Sequence, residues 1–257
     1  MTLDPLAVNG VLRLPGVFGA EEAAAMRAEV ERVLERMAMV EIVGALRPPP
    51  EAGDALWEVG RASAFAGLPA TVSAAIDAVV GPHVWEPVAE EGGGLAAPNL
   101  PLPGGVEWTV PHAAWHVDEP TSAVREHGWG LLAFVMLDAV EAGGGATVAI
   151  AGSQRRLRAL AATAAPEGLL TTEAAMDALR REEPWFEELF TPGGDPLARV
   201  RRFMNTEYLS AGIPLRVIEL TGGAGDVVLM DPRCLHTVSA NTRRPRLQMR
   251  LTCRRAV

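Results

Sequence analysis

From about Val106 onward the chain breaks into short β-prone runs, each bounded by Gly, Pro or Asn: Trp108 to Val110, Leu131 to Leu137, Thr147 to Ile150, Val217 to Leu220, Val227 to Met230 and Leu247 to Cys253. Runs this short, closed by turn formers, are too brief for helices, and several in succession predict a sandwich or barrel. One connection interrupts the series. Gly152 to Leu215 is rich in Ala, Leu, Glu and Arg, with helical spacing in Arg155 to Ala164 and Thr172 to Phe190. It predicts a helical insertion between strands, and a connection of this length is usually functional, often a lid. Upstream, Gly19-Ala20-Glu21-Glu22 opens an amphipathic helix with Met26, Val30, Val33, Leu34 and Met37 on one face. Pro48-Pro49-Pro50 breaks the chain, and a second helix is expected over Thr71 to Val80, ending at Gly81-Pro82. Gly92 to Gly105 reads as a mobile loop.

The 257 residues are enough for one large or two small domains with a core that needs no covalent staple. Apolar runs such as Leu131 to Leu137 are too short for a membrane span, and MTLDPLAVNG lacks the basic-then-apolar form of a signal sequence. A soluble cytoplasmic protein without a membrane partner is expected. All 23 basic residues are Arg, which excludes a Schiff-base lysine, pyridoxal-phosphate chemistry and a P-loop lysine. A formal charge of −9 disfavours a nucleic-acid partner. Cys234 and Cys253 are too few for a Cys-rich zinc site and read as buried thiols, not a disulfide.

The chemistry-bearing residues fall in three patches. In Trp115-His116-Val117-Asp118, one intervening residue on an extended strand puts the imidazole and the carboxylate on one face. The second patch runs from Gly225-Asp226 through Asp231-Pro232-Arg233-Cys234-Leu235 to His236, as a strand, a turn and a histidine; the third is Arg246 in the final strand. Two His and one carboxylate on one side of a metal leave the opposite positions open, as in non-haem Fe(II) oxygenases. Alone, an H-x-D is weak, since a strand His beside an Asp is more commonly a structural hydrogen bond; the order of the three patches carries more. His112 would share the strand face of His116 and Asp118, as a substrate contact or as a satisfied core histidine. His83 and His127 read as loop residues. Trp115 and Trp129 read as strand core, with substrate packing as the alternative. Asp226 is expected in a turn, and Asp231 to orient a loop or a histidine.

This set resembles the phytanoyl-CoA dioxygenase-like family of Fe(II)- and 2-oxoglutarate-dependent oxygenases. The resemblance rests on His116-Val117-Asp118, on Gly143-Gly144-Gly145 running on to Gly152-Ser153-Gln154-Arg155, and on Gly225-Asp226 through His236, Asn241 and Arg246; it covers 107–253 well and the N-terminal helices more loosely. It implies a mainly β fold with helices, a double-stranded β-helix (jelly roll, cupin-like), with N-terminal helices and a helical insertion near its mouth. One domain over 1–257 is expected: support region 1–105, jelly-roll core 106–152 and 215–255, insertion 153–214. It further implies that His116, Asp118 and His236 bind iron, that Arg246 holds the distal carboxylate of 2-oxoglutarate, and that Phe134 walls the cosubstrate pocket. O2 is then the oxidant, and succinate and CO2 are products of an oxidation at an unactivated C–H.

Several positions depart from the family pattern. Val238, followed by Ser239, stands where many relatives have a Ser that contacts the cosubstrate. Ala151 and Gln154 replace the Pro and His of a P-G-S-H turn, which should tolerate both. Asp118 is retained where halogenating relatives carry Gly or Ala, which argues for hydroxylation or another oxygenase outcome rather than halogenation. Arg250 competes with Arg246, since 246, 248 and 250 share a face; spacing from His236 favours Arg246. A cupin-like isomerase or cosubstrate-independent dioxygenase is the alternative, and a non-catalytic small-molecule binder a third reading. Specificity is expected from 92–105, 119–129 and 153–214, and the lack of a basic cluster favours a small metabolite or natural-product intermediate as substrate. No feature indicates an oligomeric state.

Overall fold

The structure, a computed structural model, describes residues 5–82, 85–88, 91–122, 130–204 and 206–255. His83, His127 and Trp129 lie outside the described residues. The strands are β1 (Val11–Leu14), β2 (Val40–Ile42), β3 (Ala45–Arg47), β4 (Trp85–Pro87), β5 (Leu95–Ala96), β6 (Leu131–Met136), β7 (Thr147–Ala151), β8 (Glu207–Ser210), β9 (Ile213–Glu219), β10 (Val227–Met230), β11 (His236–Val238) and β12 (Gln248–Arg255). A larger sheet has the order β1-β10-β6-β12-β4, with β5 also on β12; a smaller one runs β11-β7-β9-β8; β2 and β3 form a separate hairpin. All of these ladders are antiparallel, and strands distant in sequence lie side by side, the expected jelly-roll arrangement.

The helices are α1 (Pro5–Asn9), α2 (Ala20–Leu34), α3 (Gly53–Val59), α4 (Leu68–Val80), α5 (Ser153–Ala164), α6 (Thr172–Glu182), α7 (Pro184–Phe190) and α8 (Pro196–Phe203). They make two outer layers. Met26, Val30, Leu68, Val72 and Ile76 cover the outer face of the larger sheet, formed by residues such as Leu131, Ala133, Val135 and Leu229. Leu157, Leu160, Leu179, Phe186 and Phe203 cover the outer face of the smaller sheet, on Val148, Ile150, Leu215 and Val217. Between the sheets, Leu132, Phe134, Met136 and Val228 face Ala149, Ile218 and Leu220. β6 is buried on both faces, which is why Leu131–Met136 is an unbroken apolar run and not an alternating one.

The helical insertion packs as a wall: α5 to α8 form the outer layer of the smaller sheet, with Trp185 stacked on Tyr208 at 4.6 Å and edge-on to Phe186 at 4.9 Å. Pro184 splits the helix expected over Thr172 to Phe190, because its ring cannot continue α6 and instead starts α7. The end of the supposed insertion is strand: β8 and the first half of β9 pair as a hairpin. The N-terminal region also supplies β1, β4 and β5 to the larger sheet. Gly92 to Gly105, expected as a mobile loop, contains β5, and its Asn99 pairs with Arg246. Trp108 to Val110 joins no ladder.

Ser63–Val80 is apolar enough, at mean hydropathy 1.5 over 18 residues, to pass for a membrane span. Its regular helix is only the 13 residues of α4, about 20 Å against the roughly 30 Å of a bilayer core, and Leu68, Val72 and Ile76 are buried under the larger sheet. α4 is a core helix. Both cysteines are free and buried. Asp226 does sit in a turn: its carboxylate accepts from Gly223 N at 2.7 Å, Gly16 N at 2.8 Å and Arg13 Nε at 2.9 Å, fastening the β9–β10 turn to the N-terminal segment. Because Phe186 is fully buried between α7 and the smaller sheet, Phe186→Ala should cost about 3–5 kcal/mol in urea unfolding. A loss under about 1 kcal/mol would show that the α5–α8 layer is not packed as a core.

Candidate metal centre

The His116 segment belongs to no long strand. It is held by one antiparallel bridge in which His116 and His236 exchange both main-chain hydrogen bonds at 2.9 Å each. Asp118 N donates to Pro232 O at 2.9 Å, and the Thr237 hydroxyl donates to Ala113 O at 2.8 Å. His236 itself opens β11, opposite Ala149 of β7. The expected alternation holds locally: Trp115 and Val117 point into the helical layer, whereas His116 and Asp118 turn inward. Trp115 is thus core, its indole donating to Pro111 O at 3.0 Å. The alternation fails before residue 115, because Ala114 adopts φ +58°. His112 consequently leaves the shared face and is exposed, neither a core histidine nor part of the centre.

One ligand atom from each of His116, Asp118 and His236 lies within 4.8 Å of the others. Nε2 of His116 is 3.5 Å from Asp118 Oδ1, and Nε2 of His236 is 3.7 Å from Asp118 Oδ2. The imidazole centroids are 4.2 Å apart. Each ring turns its other nitrogen to a carbonyl, His116 Nδ1 to Ala114 O at 2.8 Å and His236 Nδ1 to Cys234 O at 2.9 Å. A carbonyl only accepts, so in the neutral ring Nδ1 carries the proton and Nε2 presents its lone pair to the shared point. The left-handed Ala114 is what brings its carbonyl to the His116 ring. His236 is 6% exposed and His116 41%, so the centre is closed on one side and open on the other. Two neutral imidazoles and one carboxylate with open positions opposite suit Fe(II).

The charges are set by burial and by one another. Burial, reinforced by the charge of His116, pushes His236 down to about 4. Asp118 is raised by burial, but the His116 hydrogen bond and the charges of His236 and Arg250 outweigh this and hold it at about 2. The hydrogen bond to Asp118 raises His116, against burial.

Arg250 and Arg246 separate. Arg250 Nη1 is 3.3 Å from Asp118 Oδ2, beside the metal donors. Arg246 is 4% exposed, donates from Nη2 to Ala97 O at 3.1 Å, and leaves a buried Nε with no partner. Among the described residues no carboxylate pairs with it, and burial pushes its pKa down to about 9. Phe134, on the inner face of β6, lies opposite Arg250 in the ladder. Ser239 donates its hydroxyl to Ala146 O at 2.8 Å, and Gln154 bonds the carbonyls of Ala7 and Val8, so both serve the frame. Asp231 orients Arg233 in the turn before His236, not a histidine.

Sequence reasoning passed over Asn99 and Arg47. Asn99 is buried, pairs its main chain with Arg246 and donates from Nδ2 to Gly145 O at 2.8 Å. Gly145, at φ +74°, has no room for a Cβ, which would lie 2.5 Å from that amide. Arg47 ends β3 and donates from Nη2 to Ser239 O at 3.1 Å. Neither sits in a recognisable motif; only the pairing of distant segments brings them here. Of the specificity segments, 123–129 lies outside the described residues, and from 153–214 the stretch near residues 170–172 reaches the His-x-Asp segment, through Leu170–Thr121 pairing and a Thr172 hydroxyl bond to Val117 N at 3.1 Å.

A jelly roll with two histidines and an aspartate converging between its sheets defines a mononuclear 2-His-1-carboxylate site. The chain belongs to the phytanoyl-CoA dioxygenase (PhyH) family, whose model matches residues 6–246. Among solved structures it is similar to the non-haem alpha-ketoglutarate-dependent carbocyclase SnoK from nogalamycin biosynthesis, with 17% identity, TM-score 0.59, and 97% of this chain and 81% of that one covered. It is also similar to the epimerase SnoN in complex with Fe3+, alpha-ketoglutarate and nogalamycin RO, with 18% identity, TM-score 0.54 and coverage of 97% and 80%. EctD from S. alaskensis with bound Fe shares 15% identity, TM-score 0.50 and coverage of 97% and 74%. No curated protein is matched by sequence alone.

In the metal-free protein His236 stays neutral down to about 4 while the unfolded chain takes up a proton near 6.5, so stability should fall as pH drops through that window, by about 3 kcal/mol. His116 acts oppositely: its contribution is complete below 6.5 and is lost as pH rises through its elevated folded pKa. Urea unfolding of metal-free His236→Gln should lack the acid-side loss relative to the parent. An equal loss in both would remove His236 as its source.

Proposed function

We propose that the chain, over 1–257, is one Fe(II)- and 2-oxoglutarate-dependent oxygenase domain of the cytoplasm, hydroxylating an unactivated C–H of a small metabolite or natural-product intermediate with O2 and releasing succinate and CO2. The observation that carries this reading is the pairing of an open His116–Asp118–His236 donor set with a buried Arg246 that has no carboxylate partner among the described residues. Bound iron with 2-oxoglutarate supplies the activation of O2 that no side chain of this protein can provide. The chain supplies the rest. His116 and His236 offer fixed Nε2 lone pairs, and Asp118 offers a carboxylate that stays ionised. Arg246 offers its planar fork to the distal carboxylate of the cosubstrate, a geometry that suits bidentate pairing. It is favoured over Arg250, whose charge is already opposed by Asp118. Phe134 gives the cosubstrate an apolar wall.

The carboxylate at Asp118 favours hydroxylation over halogenation, which needs that position free for halide. SnoK and SnoN are described as a carbocyclase and an epimerase, so the same fold serves other oxidative outcomes, and hydroxylation rests on Asp118.

Anaerobic titration of metal-free protein with Fe(II) and 2-oxoglutarate should produce the visible charge-transfer band of the chelate. Asp118→Ala should abolish the band and turnover, and Arg246→Leu should raise the 2-oxoglutarate requirement by roughly 10-fold or more. Metal binding without a band, and without succinate under air, would replace this reading with a cupin-like metalloenzyme that needs no cosubstrate. Ligand binding that is indifferent to Fe(II) would leave a non-catalytic binding protein. An unchanged requirement in Arg246→Leu would move the anchoring role to Arg250.

A further inference from the structure

Trp115 precedes the metal donor His116 in sequence and leaves the opposite face, where it begins a row of rings through the helical layer. Its centroid is 5.8 Å from Phe190, Phe190 is 5.8 Å from Phe186, Phe186 is 4.9 Å from Trp185, and Trp185 stacks on Tyr208 at 4.6 Å. Every step is a direct aromatic contact. The chain has six tryptophans and a single tyrosine, and this row joins two of the six to the one. Trp115, Phe190, Phe186 and Trp185 are buried, whereas Tyr208 is only partly covered, on β8 at the edge of the smaller sheet. The row therefore leads from the segment that carries the metal donors to the surface.

Its outer end carries a polar group that a packed wall does not need. A phenylalanine at position 208 would stack on Trp185 equally well and leave no hydroxyl to satisfy. The hydroxyl of Tyr208 lies instead against the Glu183 carboxylate, which also accepts from the Ser210 hydroxyl at 2.5 Å and from Arg156 Nε at 3.3 Å. Burial, reinforced by Glu183, holds the phenol pKa above its ordinary value, so the group is protonated at neutral pH. Tryptophan and tyrosine are the aromatic side chains that give up one electron most readily. An oxidised phenol is a strong acid, so its oxidation is easy only where a base stands ready for the proton, and Glu183 is that base.

We propose that the row from Trp115 to Tyr208 is an electron path that drains oxidant from the metal centre when no substrate is bound. This rests on the oxygenase reading above, which supplies the oxidant from O2. A centre that can break an unactivated C–H bond attacks the surrounding protein if it fires without a substrate. One electron passes from Tyr208 through Trp185 and Trp115 to the centre, where the oxidant is reduced by one equivalent. The phenolic proton passes to Glu183, and a neutral tyrosyl radical remains at the surface. A diffusible reductant of the ascorbate class returns a hydrogen atom to that radical, and Glu183 releases its proton to water. Phe186 and Phe190 hold the tryptophans in register and are not themselves oxidised.

The test uses the Fe(II)-loaded parent, Tyr208→Phe, Trp185→Phe and Glu183→Gln without substrate. One arm supplies 2-oxoglutarate and O2; the other supplies hydrogen peroxide alone, which brings an oxidant to the same iron without a cosubstrate. Samples frozen at intervals are read by electron paramagnetic resonance, and succinate is measured in the first arm. The parent should form a tyrosyl radical in both arms, and Tyr208→Phe should form none. Trp185→Phe and Glu183→Gln should each slow radical formation by about 10-fold or more. Tyr208→Phe should keep the parental affinity for 2-oxoglutarate yet inactivate after several-fold fewer uncoupled turnovers, with oxygen added to the peptide that bears Trp115. Succinate without a tyrosyl radical in the parent overturns the path and spares the oxygenase reading, as does an undiminished radical in Trp185→Phe. A radical with peroxide but no succinate in the first arm upholds the path and removes the cosubstrate. Neither succinate nor a radical in either arm overturns both.

Discussion

His116 and His236 exchange both of their main-chain hydrogen bonds, and on this one pairing the metal centre depends. In an antiparallel pair of this kind the two side chains leave on the same face, so imidazoles 120 residues apart in sequence stand with centroids 4.2 Å apart before any metal arrives. Carbonyl partners at both Nδ1 atoms then fix the rotation of each ring and the tautomer. The ordering is met by backbone and frame contacts: Asp118 N on Pro232 O, Thr237 on Ala113 O, Leu235 N on the Ser153 hydroxyl. A metal entering such a site finds its donors already converged, which is the condition for tight and selective coordination.

The layering explains why this pairing has room to form. Both sheets are covered on their outer faces, by α2 to α4 on one side and α5 to α8 on the other, so the apolar demand of the chain is satisfied without filling the space between the sheets with helix. What remains between them is the smaller cluster around Phe134, Met136 and Ile218, into whose neighbourhood the polar centre can be set. The same arrangement gives His236 and Asp118 opposite responses to one environment. Burial drives the imidazole neutral, whereas the aspartate, whose carboxylate is only partly shielded, is kept ionised by the His116 hydrogen bond and its cationic neighbours. Both end in the protonation state that a metal ligand requires.

The parts of this architecture that were legible in the sequence are those whose signal is local. β6, β7, β10 and the last strand are apolar enough to be read from their own residues, and the spacing of His116 and Asp118 states their common face. The strands that escaped notice, β1 to β5, β8 and β11, are two to four residues long, and their strand character comes from the ladder they join. The insertion misled for a related reason: amphipathic helices report that one face is buried, not against which surface, so a wall and a lid look alike. Asn99 and Arg47 were invisible because what brings them to Arg246 is three segments meeting edge to edge, a long-range event with no trace in any short window.

Because the chain has no lysine, every buried cation is a guanidinium, and comparing them separates structural arginines from those set aside for a ligand. Arg156 is buried against Glu182, Glu183 and the Ser210 hydroxyl, which neutralise it and accept its protons. Arg199 makes no ion pair among the described residues, though the Glu188 charge bears on it, and four carbonyls, of Val110, Glu188, Leu189 and Thr191, take its N–H groups and close the end of α7. These two show that the fold can satisfy a buried guanidinium by ion pairs or chiefly by carbonyls. Arg246 receives neither in full: it keeps one carbonyl, an unpartnered Nε and a like charge as neighbour. A frame able to complete Arg199 with backbone could have done the same at Arg246. Leaving that guanidinium incomplete costs stability in the free protein, and under the function proposed above the cosubstrate's carboxylate would recover the deficit on binding.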